Sequence, residues 1–106
     1  MTEQEKQLVA HFKSLLKQRL KNLDMIVFGS RARGEADSDS DLDVLVLSEE
    51  PENAAIRTFV SDCAWEAGLG SGVVISSLLI NQDQWRNGLE SASLLALAVR
   101  REGIPV

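Results

Sequence analysis

Two short apolar runs, separated by a turn and a polar loop, constrain the fold of this chain more than any other feature. Residues 25–28 read MIVF and stop at Gly29, and residues 41–47 read DLDVLVL after a polar loop at 35–40. Short runs rich in valine, isoleucine and leucine between turn residues are typical of buried strands. Glycine enters a tight turn without the strain that a side chain would add. The sequence therefore predicts two buried strands, with a sharp turn after the first.

The turn after the first strand has the features of an anion site. Ser30 is predicted to be the N-cap of a short helix, and backbone N–H groups follow it at the positive end of the helix dipole. Phosphate groups bind to such N–H groups in many proteins. Arg31 and Arg33 add cationic donors nearby, and Gly34 closes the turn. This stretch is therefore predicted to bind phosphate.

A pair of aspartates opens the second strand. Asp41 and Asp43 are two residues apart, so in a strand they share one face, about 7 Å apart along the chain, while Leu42 and Val44 point the other way. Two carboxylates at one edge repel each other unless a cation lies between them. Mg²⁺ takes oxygen ligands from one or two carboxylates and completes its shell with phosphates and water. The pair therefore predicts a magnesium site.

These motifs resemble those of a known family. Gly29-Ser30, ten intervening residues and Asp41-x-Asp43 are similar to the signature of the DNA polymerase beta-like nucleotidyltransferases. GSRARG and SDLDVLV resemble most closely the minimal nucleotidyltransferase (MNT) branch, and the C-terminal ALAVRREGIPV is similar to the last helix and Glu-Gly-Ile tail common in those small proteins. The resemblance implies a nucleotidyltransferase fold of the α/β (α+β) class, a small mixed β-sheet with helices packed against it.

The resemblance also implies an activity and a site. The expected reaction transfers a nucleoside monophosphate, AMP from ATP, to a hydroxyl acceptor with Mg²⁺ as the metal. The residues expected to bind the nucleotide are those of the turn, Gly29, Ser30, Arg31 and Arg33. Asp41 and Asp43 are the expected catalytic residues and metal ligands. Small members of the family act as the antitoxin of MNT/HEPN toxin–antitoxin pairs, so a HEPN-type toxin or a companion subunit is the expected protein partner.

The chain departs from the family pattern at a third acid, which catalytic members place on the next core strand. That strand reads GVVISSLLI here, and no acidic residue occurs between Glu66 and Asp83. Ser76 and Ser77 stand roughly where the carboxylate is expected. Loss of a charged ligand weakens a second metal site and removes a candidate base. Three interpretations stay open: an active transferase, a weak or inert antitoxin that acts as a binding module, and the nucleotide-binding subunit of a two-protein enzyme.

Length and charge limit the remaining functions. The 106 residues allow one domain, 1–106, and 16 acidic against 11 basic residues give a net charge of −5. Proteins that bind nucleic acid depend on basic patches, so we expect no nucleic-acid partner. No apolar run is long enough to span a bilayer, and the single cysteine fits a reducing compartment, so we expect a cytoplasmic protein. The sequence leaves its oligomeric state open.

Periodicity and caps predict the other elements. Thr2 with Glu5 forms a capping box for a first helix, whose apolar stripe is Leu8, Phe12, Leu15, Leu16, Leu20 and Leu23. A second helix is expected from about Pro51 to Gly68, with Ile56, Phe59, Val60, Cys63 and Ala67 inward. A third strand is expected at 73–80, a polar connection with a helical turn at 81–88, and a last helix at 91–102.

Overall fold

The computed structural model describes residues 1–106 and contains one four-stranded sheet. The strands are β1 (Asp24–Phe28), β2 (Leu42–Ser48), β3 (Ile75–Asn81) and β4 (Ile104–Pro105), and their order across the sheet is β3-β2-β1-β4. β1 is antiparallel to both β2 and β4, whereas β2 and β3 are parallel. The sheet is therefore mixed and combined with helices, which confirms the predicted fold class.

Five helices and one short 3-10 segment accompany the sheet. They are α1 (Glu3–Leu16), α2 (Gly29–Arg33), α3 (Ala54–Gly68), α4 (Gln82–Asn87), the 3-10 helix Leu89–Ala92 and α5 (Leu94–Glu102). The predicted capping box is present, because the Thr2 side chain accepts from the Glu5 N–H and the Glu5 carboxylate accepts from the Thr2 N–H. None of the helices combines the length and the hydropathy that a bilayer-spanning segment needs.

Two predicted helix starts were wrong, each because a capping side chain lies further along the chain. α3 begins at Ala54 rather than near Pro51, since the Asn53 side chain accepts from the Ile56 N–H at 3.0 Å. α5 begins at Leu94 rather than Ser91, since the Ser93 hydroxyl accepts from the Ala96 N–H at 3.0 Å. An asparagine or serine oxygen satisfies a backbone donor that the first helical turn leaves free, so these residues fix the boundaries.

The alternation of side chains along β2 divides the core between the two faces of the sheet. Leu42, Val44 and Val46 join the larger core cluster with α1 and α3, whereas Leu45 and Leu47 join a smaller one beside α5. Asp43 lies between Leu42 and Val44 in sequence and therefore faces the side of Leu45 and Leu47. The sheet thus presents Asp43 on the face that α5 only partly covers.

β4 is a short strand that the sequence did not predict. It pairs with β1 at Ile26 and Val27, and the Val106 N–H donates to the Met25 carbonyl at 3.0 Å. A two-residue strand containing a proline has no period to detect. Its pairing brings the end of α5 beside β1 and the turn that follows β1, which places Glu102 next to the candidate site.

Candidate functional site

The turn after β1 is built on two glycines with positive φ. Gly29 has φ 78° and starts α2, and Gly34 has φ 73° and ends it in the left-handed conformation. The prediction that Ser30 caps this helix was wrong. α2 already begins at Gly29, the cap position is Phe28, and no side chain makes a cap hydrogen bond. The positive φ of Gly29 turns the chain directly at the strand end, so Ser30 lies inside the helical turn.

Gly29 lies directly against Asp43. Phe28, the last residue of β1, is the register partner of Asp43 on β2. A Cβ atom added at Gly29 would collide with Asp43 Oδ2 and lie 3.2 Å from Asp43 Cγ. Only a residue without a side chain allows the turn and the carboxylate to approach so closely. The structure therefore brings the predicted phosphate turn and one predicted metal ligand into van der Waals contact.

The charge of Asp41 acts on Asp43. β2 begins at Leu42, so Asp41 lies just before the strand and is exposed, whereas Asp43 lies within it and is half-buried. Burial raises the pKa of Asp43, the negative charge of Asp41 raises it further, and Arg33 partly offsets both effects. Loss of hydration and a like charge both disfavour an ionised carboxyl group. A cation at this pair would relieve that cost.

The structure contains no third acid beside the pair. Ser76 is the register partner of Asp43 in the parallel β2–β3 ladder and is exposed, while Ser77 is the partner of the buried Val44. No group of three or more histidine, cysteine, aspartate or glutamate side chains is arranged to hold a metal ion. The donor set is therefore two carboxylates, which suits Mg²⁺ when substrate phosphates and water supply the remaining oxygens.

The two arginines of the turn have different surroundings. Arg31 is partly buried, with 10% of its side chain exposed: its Nε donates to the Ser40 carbonyl at 2.8 Å, and its Nη1 pairs with Glu5 Oε2 at 3.0 Å. Burial would raise the pKa of Glu5, but hydrogen bonds from the Thr2 backbone, Arg31 and the Thr2 hydroxyl together lower it. Arg31 thus ties α2 to α1 and to the loop before β2. Its guanidinium is committed to structural contacts.

Arg33 is the more accessible arginine, and two carboxylates hold it. Its Nε donates to Glu35 Oε2 at 3.0 Å, and its Nη1 donates to both oxygens of Glu102 at 3.1 Å. These contacts raise the pKa of Arg33. The Gly29 N–H also donates to Glu102 Oε1, at 3.4 Å. Sequence reasoning missed Glu102 because 73 positions separate it from Gly29, beyond the reach of any local pattern.

The sequence and the fold both lead to one family. A family model described as "Nucleotidyltransferase domain" matches residues 9–99, which include the turn, both aspartates and most of the helices. The chain belongs to the nucleotidyltransferase domain family. Nucleotidyl transfer is therefore its general class of activity, and members of the family generally use divalent metals. No curated protein matches the chain significantly in sequence.

Solved toxin–antitoxin complexes share the fold. A crystal structure of a toxin–antitoxin with AMP-PNP is 22% identical with a TM-score of 0.60, covering 95% of this chain and 70% of that one. A mutant of the toxin–antitoxin MntA-HpeT is 23% identical with a TM-score of 0.58, covering 92% and 70%. The tri-AMPylated HEPN toxin of Shewanella oneidensis in complex with its MNT antitoxin is 19% identical with a TM-score of 0.56, covering 95% of this chain and 70% of that one. At these identities the likeness establishes the fold alone.

Proposed function

We propose that this nucleotidyltransferase domain, residues 1–106, transfers AMP from ATP to a hydroxyl group of a partner protein, in the manner of an MNT antitoxin acting on a HEPN-type toxin. The observation that carries this proposal is the contact between Gly29 and Asp43, since a Cβ at Gly29 would overlap the Asp43 carboxylate. Such contact allows one bound triphosphate to touch both the turn and the metal ligands. The toxin–antitoxin neighbours, one of them crystallised with AMP-PNP, suggest the nucleotide and the partner.

The proposed chemistry depends mostly on positioning and on charge. Gly29 and Ser30 would hold the β- and γ-phosphates through backbone N–H groups and the Ser30 hydroxyl, with Arg33 as a cationic donor. Asp41 and Asp43 would hold Mg²⁺, which supplies positive charge to the α-phosphate and the leaving pyrophosphate when bound. The acceptor hydroxyl releases its proton to water as its oxygen attacks the α-phosphorus, the bond to the β-phosphate bridging oxygen breaks, and pyrophosphate leaves. Arg31, which donates to Glu5 and to the Ser40 carbonyl, would stabilise the turn without contacting the phosphates.

Exposed apolar residues supply a surface for a partner near the open edge of β3. Trp65, Leu69 and Val74 are 64–70% exposed and border a groove of about 530 Å³ that also includes Ser77. Contiguous exposed apolar side chains are typical of protein interfaces. Ser77 is the register partner of Val44, whereas Ser76 on the other face is the partner of Asp43, so a protein docked in this groove would contact the edge strand from the face opposite to Asp43. We place the complex in the cytoplasm, consistent with the single cysteine.

A transfer assay tests the enzymatic proposal. The protein is incubated with radiolabelled ATP, Mg²⁺ and the product of the adjacent reading frame, and label on the partner is measured after gel separation. We expect labelling by the wild type and its loss in Asp41→Asn and Asp43→Asn. No labelling, or labelling that the two substitutions leave undiminished, would reject the proposal.

The absence of a third acid favours a second candidate, a binding module that neutralises its partner without chemistry. Ser76 rather than a carboxylate stands beside Asp43. This candidate predicts a complex that forms without nucleotide and survives Asp43→Ala, measured by size-exclusion chromatography. A complex that requires ATP and Mg²⁺ would count against it.

If the protein is instead one subunit of a two-protein enzyme, transferase activity appears only when the two proteins are mixed and disappears when a carboxylate of the partner is replaced.

A further inference from the structure

Glu102 occupies donors that the proposed function assigns to phosphate. Its Oε1 accepts from the Gly29 N–H at 3.4 Å, and Arg33 Nη1 contacts both of its carboxylate oxygens at 3.1 Å. The side chain is mostly buried, with 23% of its surface exposed. It is the last residue of α5, held against the turn because β4 pairs with β1 directly afterwards. A carboxylate with two oxygens and a negative charge thus lies where a phosphate group would accept the same hydrogen bonds.

We propose that Glu102 is an internal competitor of the nucleotide, a carboxylate that fills the phosphate-binding turn of the free protein and must move away before a triphosphate binds. This inference rests on the proposed function. The Gly29 N–H has one hydrogen to donate, so Glu102 and a phosphate oxygen cannot both accept it at full strength. The contact at 3.4 Å is longer than the usual 2.9–3.0 Å. It is therefore a weak bond that a more highly charged phosphate can displace.

Charge reinforces the competition. Asp43 and Glu102 place two carboxyl groups against Gly29, with Arg33 as the accessible cation nearby. A triphosphate approaching the turn meets the Glu102 charge as well as the contact that it must break. Because Glu102 ends α5 and precedes β4, its movement also couples nucleotide binding to the C-terminal segment of the chain. The free protein would thereby hold the nucleotide more weakly than the same turn without Glu102.

Glu35 provides a matched control. It pairs with the same arginine, through Arg33 Nε at 3.0 Å, but it makes no hydrogen bond to Gly29, and its side chain is 67% exposed. Glu35→Gln therefore removes a negative charge near Arg33 and leaves the Gly29 N–H as it was. Glu102→Gln removes the charge at the turn itself. The glutamine oxygen can still accept from the Gly29 N–H, but more weakly than a carboxylate. Comparison of the two variants therefore separates the effect of the carboxylate charge at the turn from the release of Arg33.

The test is a calorimetric titration of ATP in the presence of Mg²⁺. We expect Glu102→Gln to lower the Kd about three- to fivefold, the range that one partly exposed ion pair supplies, and Glu35→Gln to change it less than twofold. If Glu102 only supported the fold or oriented Arg33 toward phosphate, its substitution would weaken binding instead. An amide ¹H–¹⁵N spectrum shows whether Glu102→Gln folds like the wild type, and the Gly29 peak is expected to shift without nucleotide.

The outcomes separate this inference from the proposed function. Tighter binding by Glu102→Gln and not by Glu35→Gln supports the inference. An unchanged or weakened affinity in Glu102→Gln, with measurable binding by the wild type, overturns the inference and leaves the proposed function in place. Absence of ATP binding in both the wild type and Glu102→Gln overturns both.

Discussion

Replacement of Gly29 by alanine tests how closely the turn and the Asp43 carboxylate approach each other. Gly29 has φ 78°, and an alanine in the left-handed region costs about 1–2 kcal/mol. The added Cβ would also overlap Asp43 Oδ2. Rotation of the Asp43 side chain away from a preferred rotamer costs about a further 0.5–1.5 kcal/mol. We expect Gly29→Ala to lower the free energy of unfolding by about 1.5–3.5 kcal/mol in total.

Gly34→Ala is the matched control for the backbone contribution. Gly34 has φ 73°, close to that of Gly29, but a Cβ at this position would meet nothing within 4 Å. Its replacement should cost only the strain of the left-handed conformation, about 1–2 kcal/mol. The difference between the two variants therefore measures the collision with Asp43. Guanidinium denaturation followed by circular dichroism gives both free energies of unfolding.

A double-mutant cycle identifies the partner of the collision. Asp43→Ala removes Oδ2 and Cγ and leaves the Asp43 Cβ, which would lie 3.5 Å from the new Cβ, an ordinary contact. In that background Gly29→Ala should cost no more than Gly34→Ala, because atoms that no longer exist cannot collide. Equal costs for Gly29→Ala and Gly34→Ala in the wild type would refute the reasoning, as would an excess that persists without the Asp43 side chain.

Three further predictions concern the neighbouring charges. Glu5→Gln leaves the Arg31 guanidinium, whose side chain is only 10% exposed, without its ion pair and should destabilise the protein by about 3 kcal/mol. Arg57→Ala, at an exposed pair, should cost about 0–1 kcal/mol. Equal losses of the free energy of unfolding in denaturation would contradict this. Because the pKa of Asp43 is raised, its contribution to stability is present at low pH and is lost as pH rises through that pKa. The free energy of unfolding of the wild type relative to Asp43→Asn should therefore fall with rising pH. A rise would mean that the pKa of Asp43 is lowered in the folded protein. Ser76→Asp should tighten Mg²⁺ binding about fivefold, since a carboxylate a few ångströms from a cation gains about 1 kcal/mol or more. Ser77→Asp, opposite Val44 on the other face of the sheet, should leave Mg²⁺ binding unchanged. An equal effect of the two substitutions in calorimetry would contradict a metal site at Asp43.

Local patterns in the sequence predicted most of the architecture. The runs at 25–28 and 41–47 became β1 and β2, and Leu42 and Val44 lie in the core opposite Asp43. Three members of the predicted first-helix stripe, Leu8, Phe12 and Leu16, are buried on α1. Leu20 is also buried, but it lies beyond the end of α1 at Leu16, so the predicted extension of the helical stripe to Leu23 was wrong. These features depend on residues within a few positions of one another. Periodicity therefore sufficed to find them, whereas capping patterns located the start of α1 but not those of α2, α3 and α5.

Contacts between distant residues could not be predicted in the same way. Arg31 and Arg33 have the same side chain two positions apart, yet Arg31 pairs with Glu5 on α1 and Arg33 pairs with Glu102 from α5. The difference depends on which helix packs beside each one, at separations of 26 and 69 positions. The assignment of nucleotide binding to both arginines stays a prediction, with Arg33 the better placed.

Calorimetric titration of ATP with and without Mg²⁺ tests the central claim most directly, namely that Asp41 and Asp43 hold a cation against a triphosphate bound at Gly29 and Ser30. We predict that Mg²⁺ tightens ATP binding to the wild type and that this effect is lost in the double variant Asp41→Asn, Asp43→Asn. An ATP affinity that is independent of Mg²⁺, or a Mg²⁺ effect that is undiminished after both carboxylates are replaced, would contradict the account.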